Sequence, residues 1–353
     1  MKQLRVAICG AGIGAEHLDA YLALPDLYRI SCIADPDAIR AKPLVEKARA
    51  SYVTSFVDAL NRDDVDVVDI CLPPQMHKEA IKLAIGAGKQ VVCEKPLVPS
   101  LSDVDEIIAL AKQTSIKIMP VFQYRFGNGL SLLRKLIEQN VAGKAFTATI
   151  ETHWNREAAY YAVPWRGKWA TELGGAVVGH AIHAHDILVH TLGSVAQIQA
   201  TVATRVNPID VDDCAAIVFE MSSGALVTSS VTLGAASDQS RLRFCFSNLT
   251  AQSSLAPYNP GTNPWTFEAR NTFVQAKIDD IVNEHGHHSE GFKRQFELAY
   301  DAFSGNAELP VTLADARASL EIISGIYRSS RGAGKVELPL ATSTREYQGW
   351  QPE

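Results

Sequence analysis

Through its first 121 residues the chain alternates short apolar runs with longer stretches of helical spacing, and that alternation points to a doubly wound parallel sheet. Leu4 to Gly10, Arg29 to Asp35, Val65 to Leu72, Gln90 to Cys93 and Lys117 to Val121 read as strands. Several are fully apolar, as strands buried on both faces should be. Glu16 to Leu24, Ile39 to Ala50, Ser55 to Asn61, Gln75 to Ala87 and Ser102 to Ser115 carry the helical pattern between them. After Tyr124 the rhythm changes. A helix (Leu130 to Asn140), a strand (Ala145 to Trp154), an aromatic loop and a helix (about Ala176 to Leu192) lead into Val195 to Val206, Cys214 to Met221, Ala225 to Leu233 and Arg241 to Ser247. Successive strands without intervening helices predict an antiparallel sheet. Pro257 to Pro264 reads as a loop, and Gly291 to Phe303 and Leu313 to Ser330 as helices. With 353 residues, 47% of them hydrophobic, two buried cores are affordable, and the expected domains are 1–121 and 122–353.

The charge balance narrows the partners. With 33 Lys and Arg against 39 Asp and Glu, the net charge of −6 offers no global positive field for a nucleic acid. Met1 runs straight into a strand-like segment and no run of 18 apolar residues follows, so neither a secretion signal nor a membrane span is expected. Cys9, Cys32, Cys71, Cys93, Cys214 and Cys245 show no metal-site spacing and sit in apolar, strand-like runs. Buried reduced thiols in a cytoplasmic protein are the expectation.

The first chemical signal is Gly10-Ala11-Gly12-Ile13-Gly14-Ala15, placed directly after a strand and opening a helix. A side chain at Gly10 or Gly12 would block the tight turn or the approach of a pyrophosphate, and Ala15 is small enough for close contact between helix and strand. The helix N-terminus adds free N–H groups and partial positive charge, so Gly10, Gly12, Ile13 and Gly14 are expected to hold a dinucleotide. Asp35, 20 residues past Ala15, would accept from adenosine ribose hydroxyls and repel a 2′-phosphate. That favours NAD, with Arg40 keeping NADP open; a turn carboxylate in Asp35-Pro36-Asp37 is the competing reading. The strand ends Leu72-Pro73-Pro74-Gln75-Met76-His77 and Cys93-Glu94-Lys95-Pro96-Leu97 should face the same crevice, bringing in Leu72, Pro73, His77, Glu94 and Lys95 as cofactor contacts. Partial desolvation and a nearby cationic nicotinamide would favour neutral Lys95, suiting it to proton transfer.

With these pieces in place, the chain resembles the Gfo/Idh/MocA oxidoreductase family. The resemblance continues through Phe122-Gln123-Tyr124-Arg125-Phe126, Gly174-Gly175-Ala176 and Pro310-Val311-Thr312-Leu313-Ala314-Asp315-Ala316. It implies an NAD(P)-dependent dehydrogenase of sugars or cyclitols, with Gln123 toward the cofactor and Arg125 toward substrate. It also implies a C-terminal α/β domain whose open, mostly antiparallel sheet carries substrate contacts and often an oligomer interface, here a homodimer or homotetramer.

In Gly179-His180-Ala181-Ile182-His183-Ala184-His185-Asp186, helical spacing puts Gly179, His183, Asp186 and His190 on one face, with His180 bordering it and His185 elsewhere. The resemblance makes His183 the catalytic histidine, Asp186 the second aspartate of an Asp-x-x-x-His-x-x-Asp pattern, and Gly179 a departure at the first. His180 is the candidate to supply the missing polar group. No Cys or Glu lies nearby in the sequence to complete a metal site, so no metal is expected, and His285, His287 and His288 read as a solvated loop. Trp154 to Trp169 interleaves aromatic rings with cations; Trp165 and Arg166 are the residues chosen as sugar contacts, against an aromatic anchor for a loop or subunit contact. The expected chemistry is reversible hydride transfer at a secondary alcohol of a small carbohydrate or polyol, its proton shared by Lys95 and His183. An NAD-retaining hydrolase or lyase acting by transient sugar oxidation, and an NAD-dependent sensor, remain alternatives.

Overall fold

The computed structural model describes residues 2–262 and 264–352. Met1, at the start of the strand-like opening, Asn263, in the Pro257 to Pro264 loop, and Glu353 lie outside the described residues. Two compact units emerge: one runs to Val121 and takes in Phe292–Arg317, and the other comprises Phe122–Gly291 and the chain from Ala318 onward.

The first unit holds six strands, β1 (Leu4–Cys9), β2 (Tyr28–Ala34), β3 (Ser51–Val53), β4 (Val67–Ile70), β5 (Gln90–Cys93) and β6 (Ile118–Pro120). They are ordered β3-β2-β1-β4-β5-β6 and every pair is parallel. The order reverses between β1 and β4, and such a switch point opens a crevice at the carboxyl ends of the strands. Of the six, β3 has no counterpart in the sequence reading. It is three residues long at a sheet edge, too short for an alternating pattern to register.

The helix Gly291–Phe303 forms where its 3.6-residue spacing predicts, but most of it belongs to the first unit. Assigning 122–353 to a single second domain is therefore corrected. Phe296 is fully buried and stacks on Tyr21 at 4.3 Å, and Tyr28 donates its hydroxyl to the Phe296 carbonyl at 2.8 Å. Apolar spacing specifies a helix but not which core its face will join.

The second unit is built on eight strands: β7 (Ala145–Asn155), β8 (Val195–Ala203), β9 (Cys214–Met221), β10 (Leu226–Thr232), β11 (Gly234–Phe246), β12 (Leu249–Gln252), β13 (Thr266–Ala269) and β14 (Val336–Glu337). Their order is β13-β12-β11-β7-β10-β9-β8-β14, antiparallel except for the parallel pair β7 and β10. Buried residues alternate with exposed ones along β9 and β10 and with half-buried ones along β7, so one face is packed and the other more open. The helix Thr272–Glu284, unassigned in the sequence, buries only Val274, Ile278 and Ile281 in an otherwise polar stretch.

Candidate active site

In the first unit the glycine turn meets the neighbouring strand end. Gly10 has φ +108°, and a Cβ there would lie 2.3 Å from the Cys71 carbonyl oxygen. No L side chain fits that backbone in that space. At Gly14 a Cβ would come within 2.8 Å of Ile8, so Gly14, rather than the half-exposed Ala15, makes the close contact between helix Gly14–Leu22 and β1. Gly12 differs from both. Nothing lies within 4 Å of the place its Cβ would occupy, which leaves its backbone open to an approaching phosphate.

Asp35, 2% exposed, directly follows β2 and holds this turn: Ala11 N–H donates to Oδ2 at 2.7 Å and Asp37 N–H to Oδ1 at 2.8 Å. Arg40 adds Nη2 to Oδ1 at 2.7 Å and Nε to Oδ2 at 3.2 Å. Burial pushes the Asp35 carboxyl up, but Arg40 and the two backbone donors outweigh it and hold the pKa below the ordinary range. Open space at Gly12, a helix N-terminus and an ionised Asp35 fit a dinucleotide.

Around the other strand ends the residues divide. Leu72 and Pro73 are half-buried on the loop after β4, and Lys95 is half-buried in the turn after β5. His77 is fully buried and braces the two loops, with Nε2 2.8 Å from the Leu72 carbonyl and Nδ1 2.9 Å from the Pro96 carbonyl. Glu94 is buried too. Its Oε2 accepts the Lys95 N–H at 3.0 Å, and its Oε1 accepts from His17 Nε2 at 3.1 Å.

His17, which the sequence reading passed over, is 0% exposed; its Nδ1 donates to Asp69 Oδ2 at 2.8 Å. Burial works against a charge on the ring, yet Asp69 outweighs it and raises the His17 pKa well above the ordinary value. Glu94 is correspondingly low: burial opposes its charge, and the bond from His17 favours it. Ligand atoms of His17, Asp69 and Cys71 lie within 4.8 Å of one another. A protonated imidazole donating from both nitrogens has no lone pair for a metal. The signal in the sequence was Asp69, a carboxylate inside the apolar strand Val67-Val68-Asp69-Ile70, which demands a buried partner.

The second unit assembles the histidine segment differently from a single helix. Val177–Ala181 forms a π turn, and the α-helix proper starts at Ile182 and ends at Leu192. The wider turn breaks the 3.6 spacing that put Gly179 and His183 on one face. Gly175 is required just before it, because a Cβ there would overlap the Asp212 carbonyl oxygen at 1.7 Å. Asp212 in turn accepts the N–H groups of Gly175 and Val177, both at 2.9 Å, fixing the start of the π turn.

His183 is buried and stacks on Tyr124, with ring centroids 4.4 Å apart. His185 turns to Ser229, 2.9 Å from its Nε2. Arg125, 7% exposed, grips Asp186 with two charge-assisted bonds of 2.6 Å. His180 faces another cluster: its Nε2 is 3.2 Å from the Tyr160 hydroxyl, and its ring meets Trp154 edge-on at 5.2 Å. Arg166 donates to that hydroxyl and lies over the rings of Tyr160, at 3.9 Å, and half-exposed Trp165, at 4.4 Å. Gln123 sits in a short 3-10 turn, and among the described residues its buried Oε1 has no hydrogen-bond partner. His285 is half-buried, and His287 and His288 are exposed, in the loop after Thr272–Glu284.

All six cysteines are free thiols, and Cys214 and Cys245 are half-buried rather than buried. Among the described residues no helix is long and apolar enough to cross a membrane.

Comparison with known proteins bears on the fold and the family. Residues 4–122 match the oxidoreductase family with the NAD-binding Rossmann fold, and residues 130–252 match the GFO/IDH/MocA C-terminal domain. Inositol 2-dehydrogenase of Corynebacterium glutamicum is 38% identical over 146 residues, 40% of this chain and 43% of that one. Levoglucosan dehydrogenase of Pseudarthrobacter phenanthrenivorans is 24% identical over 270 residues, 67% of this chain and 69% of that one. The chain spans between about two-fifths and two-thirds of the length of the curated relatives it matches. Among solved structures, the WlbA dehydrogenase of Chromobacterium violaceum, in complex with NADH and UDP-GlcNAcA, superimposes with a TM-score of 0.86 at 25% identity, covering 97% of each chain. With both of its domain models matched in order along the sequence, the chain belongs to the Gfo/Idh/MocA family of NAD-binding oxidoreductases.

Proposed function

We propose that this chain is an NAD-dependent dehydrogenase acting on a secondary alcohol of a sugar or cyclitol. The observation that carries the reading is the His180, Tyr160 and Arg166 cluster, where hydrogen-bonding groups are interleaved with the rings of Trp154 and Trp165. Such a surface recognises a polyol, since rings cover C–H faces while the polar groups bond hydroxyls. Relatives named for inositol and levoglucosan, and a structural neighbour holding a UDP-sugar acid, support the same class.

Bound NAD supplies the hydride chemistry. The protein's own residues bind, orient and manage a proton. Gly12 and the helix N-terminus receive the pyrophosphate, Asp35 selects the unphosphorylated ribose, and Gln123 offers a buried acceptor. Lys95 and His183 take the hydroxyl proton, one directly and the other orienting or relaying. Arg125 pairs with Asp186 on the same helix as His183 and so shapes the polar surroundings of that imidazole. The working form is a cytoplasmic homodimer or homotetramer using the open sheet face of the second unit.

The test is a panel of inositols, monosaccharides, anhydrosugars and UDP-sugars with NAD and with NADP, read as reduced cofactor formed. Turnover with at least one polyol, faster with NAD, is expected. Lys95→Ala should lower kcat by about two to four orders of magnitude with NAD affinity retained. NAD binding without turnover of any polyol, or an unimpaired Lys95→Ala variant, would overturn the reading.

A further inference from the structure

Glu172 lies in the short helix Trp169–Glu172, outside every motif picked from the sequence, yet it is 5% exposed and belongs to the second unit's polar cluster. Its Oε2 accepts the Gly167 N–H at 2.5 Å, and Arg166 Nη1 donates to Oε1 at 3.3 Å. The same Arg166 donates to Tyr160, whose hydroxyl contacts His180. A carboxylate thus terminates a continuous polar chain Glu172, Arg166, Tyr160, His180.

The position of its Oε1 is informative. A Cβ built on Gly179 would lie 3.9 Å from this oxygen, with no other atom beyond its own turn within 4 Å among the described residues. The missing side chain at Gly179 therefore leaves a small space with the Glu172 carboxylate at its wall, in the π turn that carries His180 and precedes His183 by one short step. Buried carboxylates are held ionised only where donors repay their desolvation, and Arg166 and Gly167 supply two. A carboxylate offers about four acceptor positions, so these donors and a substrate hydroxyl can share it.

We propose that Glu172 is the specificity-determining carboxylate of the substrate site, accepting a hydrogen bond from one polyol hydroxyl that enters the space left by Gly179. The assignment rests on the polyol reading above. Its consequence is discrimination. A site built to bond a hydroxyl rejects the deoxy analogue, because one acceptor position of the buried carboxylate then loses the donor it was shaped for.

The experiment measures calorimetric binding of the best polyol from the panel, and of its mono-deoxy analogues, to protein saturated with NADH, together with KM and kcat. Glu172→Gln keeps the shape and an acceptor for Gly167. It should weaken polyol binding and raise KM by about 10- to 100-fold, the range of a lost charge-assisted bond. NADH affinity should hold, and one deoxy analogue should lose its disadvantage. Adding Gly179→Asp to Glu172→Gln should restore part of the affinity by returning a carboxylate to the same space. A merely structural Glu172 would lower Tm and weaken polyol and all deoxy analogues equally, which overturns the assignment, as does unchanged binding. If Glu172→Gln does not fold, Gly179→Val decides: it fills the space without removing an anchor, so retained polyol affinity overturns the proposal and loss at unchanged Tm supports it. Wild type that binds no polyol brings down the polyol reading and this assignment with it. Polyol binding unaffected by Glu172→Gln brings down the assignment alone.

Discussion

His17 donates to Glu94 across 3.1 Å, with both groups buried, so the turn that presents Lys95 is anchored to the first helix by an ion pair rather than by packing alone. Asp69 shares the same imidazole, giving two carboxylates to one cation. Removing the cation strands both charges. His17→Ala is expected to lower stability by about 3–5 kcal/mol, the range for breaking a buried pair. Urea denaturation at neutral pH measures it, and a loss below about 1 kcal/mol would show that the network does not hold the sheet.

The same network sets a pH window. The His17 pKa is raised in the fold, so its contribution is complete below the ordinary 6.5 and is lost as pH rises through the elevated folded value. The Glu94 pKa is lowered, so its contribution is present above the ordinary 4.5 and fades as pH falls through the depressed value. The contribution of these two groups should therefore be level between those limits. In His17→Ala the alkaline fall should disappear, a comparison made by Tm across the pH range.

Gly10 and Gly12 should respond in opposite ways to the same methyl. Gly10→Ala meets the Cys71 carbonyl and a forbidden φ, and should destabilise the fold by more than about 2 kcal/mol. Gly12→Ala meets no protein atom, so Tm should stay within a degree or two while NAD affinity falls at least about tenfold. Titration of NAD beside a thermal melt separates the two, and a Gly12→Ala variant that binds NAD normally would contradict the assignment of that open space to the pyrophosphate.

Asp35 and Arg40 form an exchangeable selector. While Asp35 is ionised, it both repels a 2′-phosphate and occupies Arg40. Asp35→Asn removes the repulsion and loosens the guanidinium. The NADP-to-NAD ratio of kcat/KM should rise by about 10- to 100-fold, since like-charge contact costs on the order of a few kcal/mol. Adding Arg40→Ala should reverse most of the gain.

His185 gives an acid limb. Burial pushes its pKa down to about 4, so the folded ring stays neutral while the unfolded ring protonates from its ordinary 6.5. Stability should decline between those two values by about 3 kcal/mol in total. Replacing His185 with Gln, which still reaches Ser229, should flatten that decline in a pH series of urea midpoints.

Local signals explain which residues the sequence exposed. The glycine turn, Asp35 and the strand ends lie within a few residues of the strands that orient them, so order along the chain suffices to locate them. Long-range partners are harder. His17 reaches Asp69 and Glu94, 52 and 77 positions away, and only the misplaced charge of Asp69 in an apolar strand hinted at it. Glu172 was invisible because its relation to Gly179 depends on a π turn, and periodicity assumes 3.6 residues per turn throughout. His77 lay at the expected strand end, but nothing in its neighbours says that both ring nitrogens turn inward to carbonyls. Gly291–Phe303 was legible as a helix and illegible as a member of the first core.

That last helix bears on synthesis. About 170 residues separate Val121 from Phe292, so at roughly 5–20 residues per second a ribosome needs on the order of ten to thirty seconds to deliver the piece that covers Tyr21 and Tyr28. Throughout that interval the nascent nucleotide-binding half carries bare aromatic surface, a natural handle for chaperones. A gene truncated after Val121 should consequently yield inclusion bodies, whereas a circularly permuted gene that fuses Phe292–Arg317 to its front through a flexible linker should yield dispersed, NAD-binding protein.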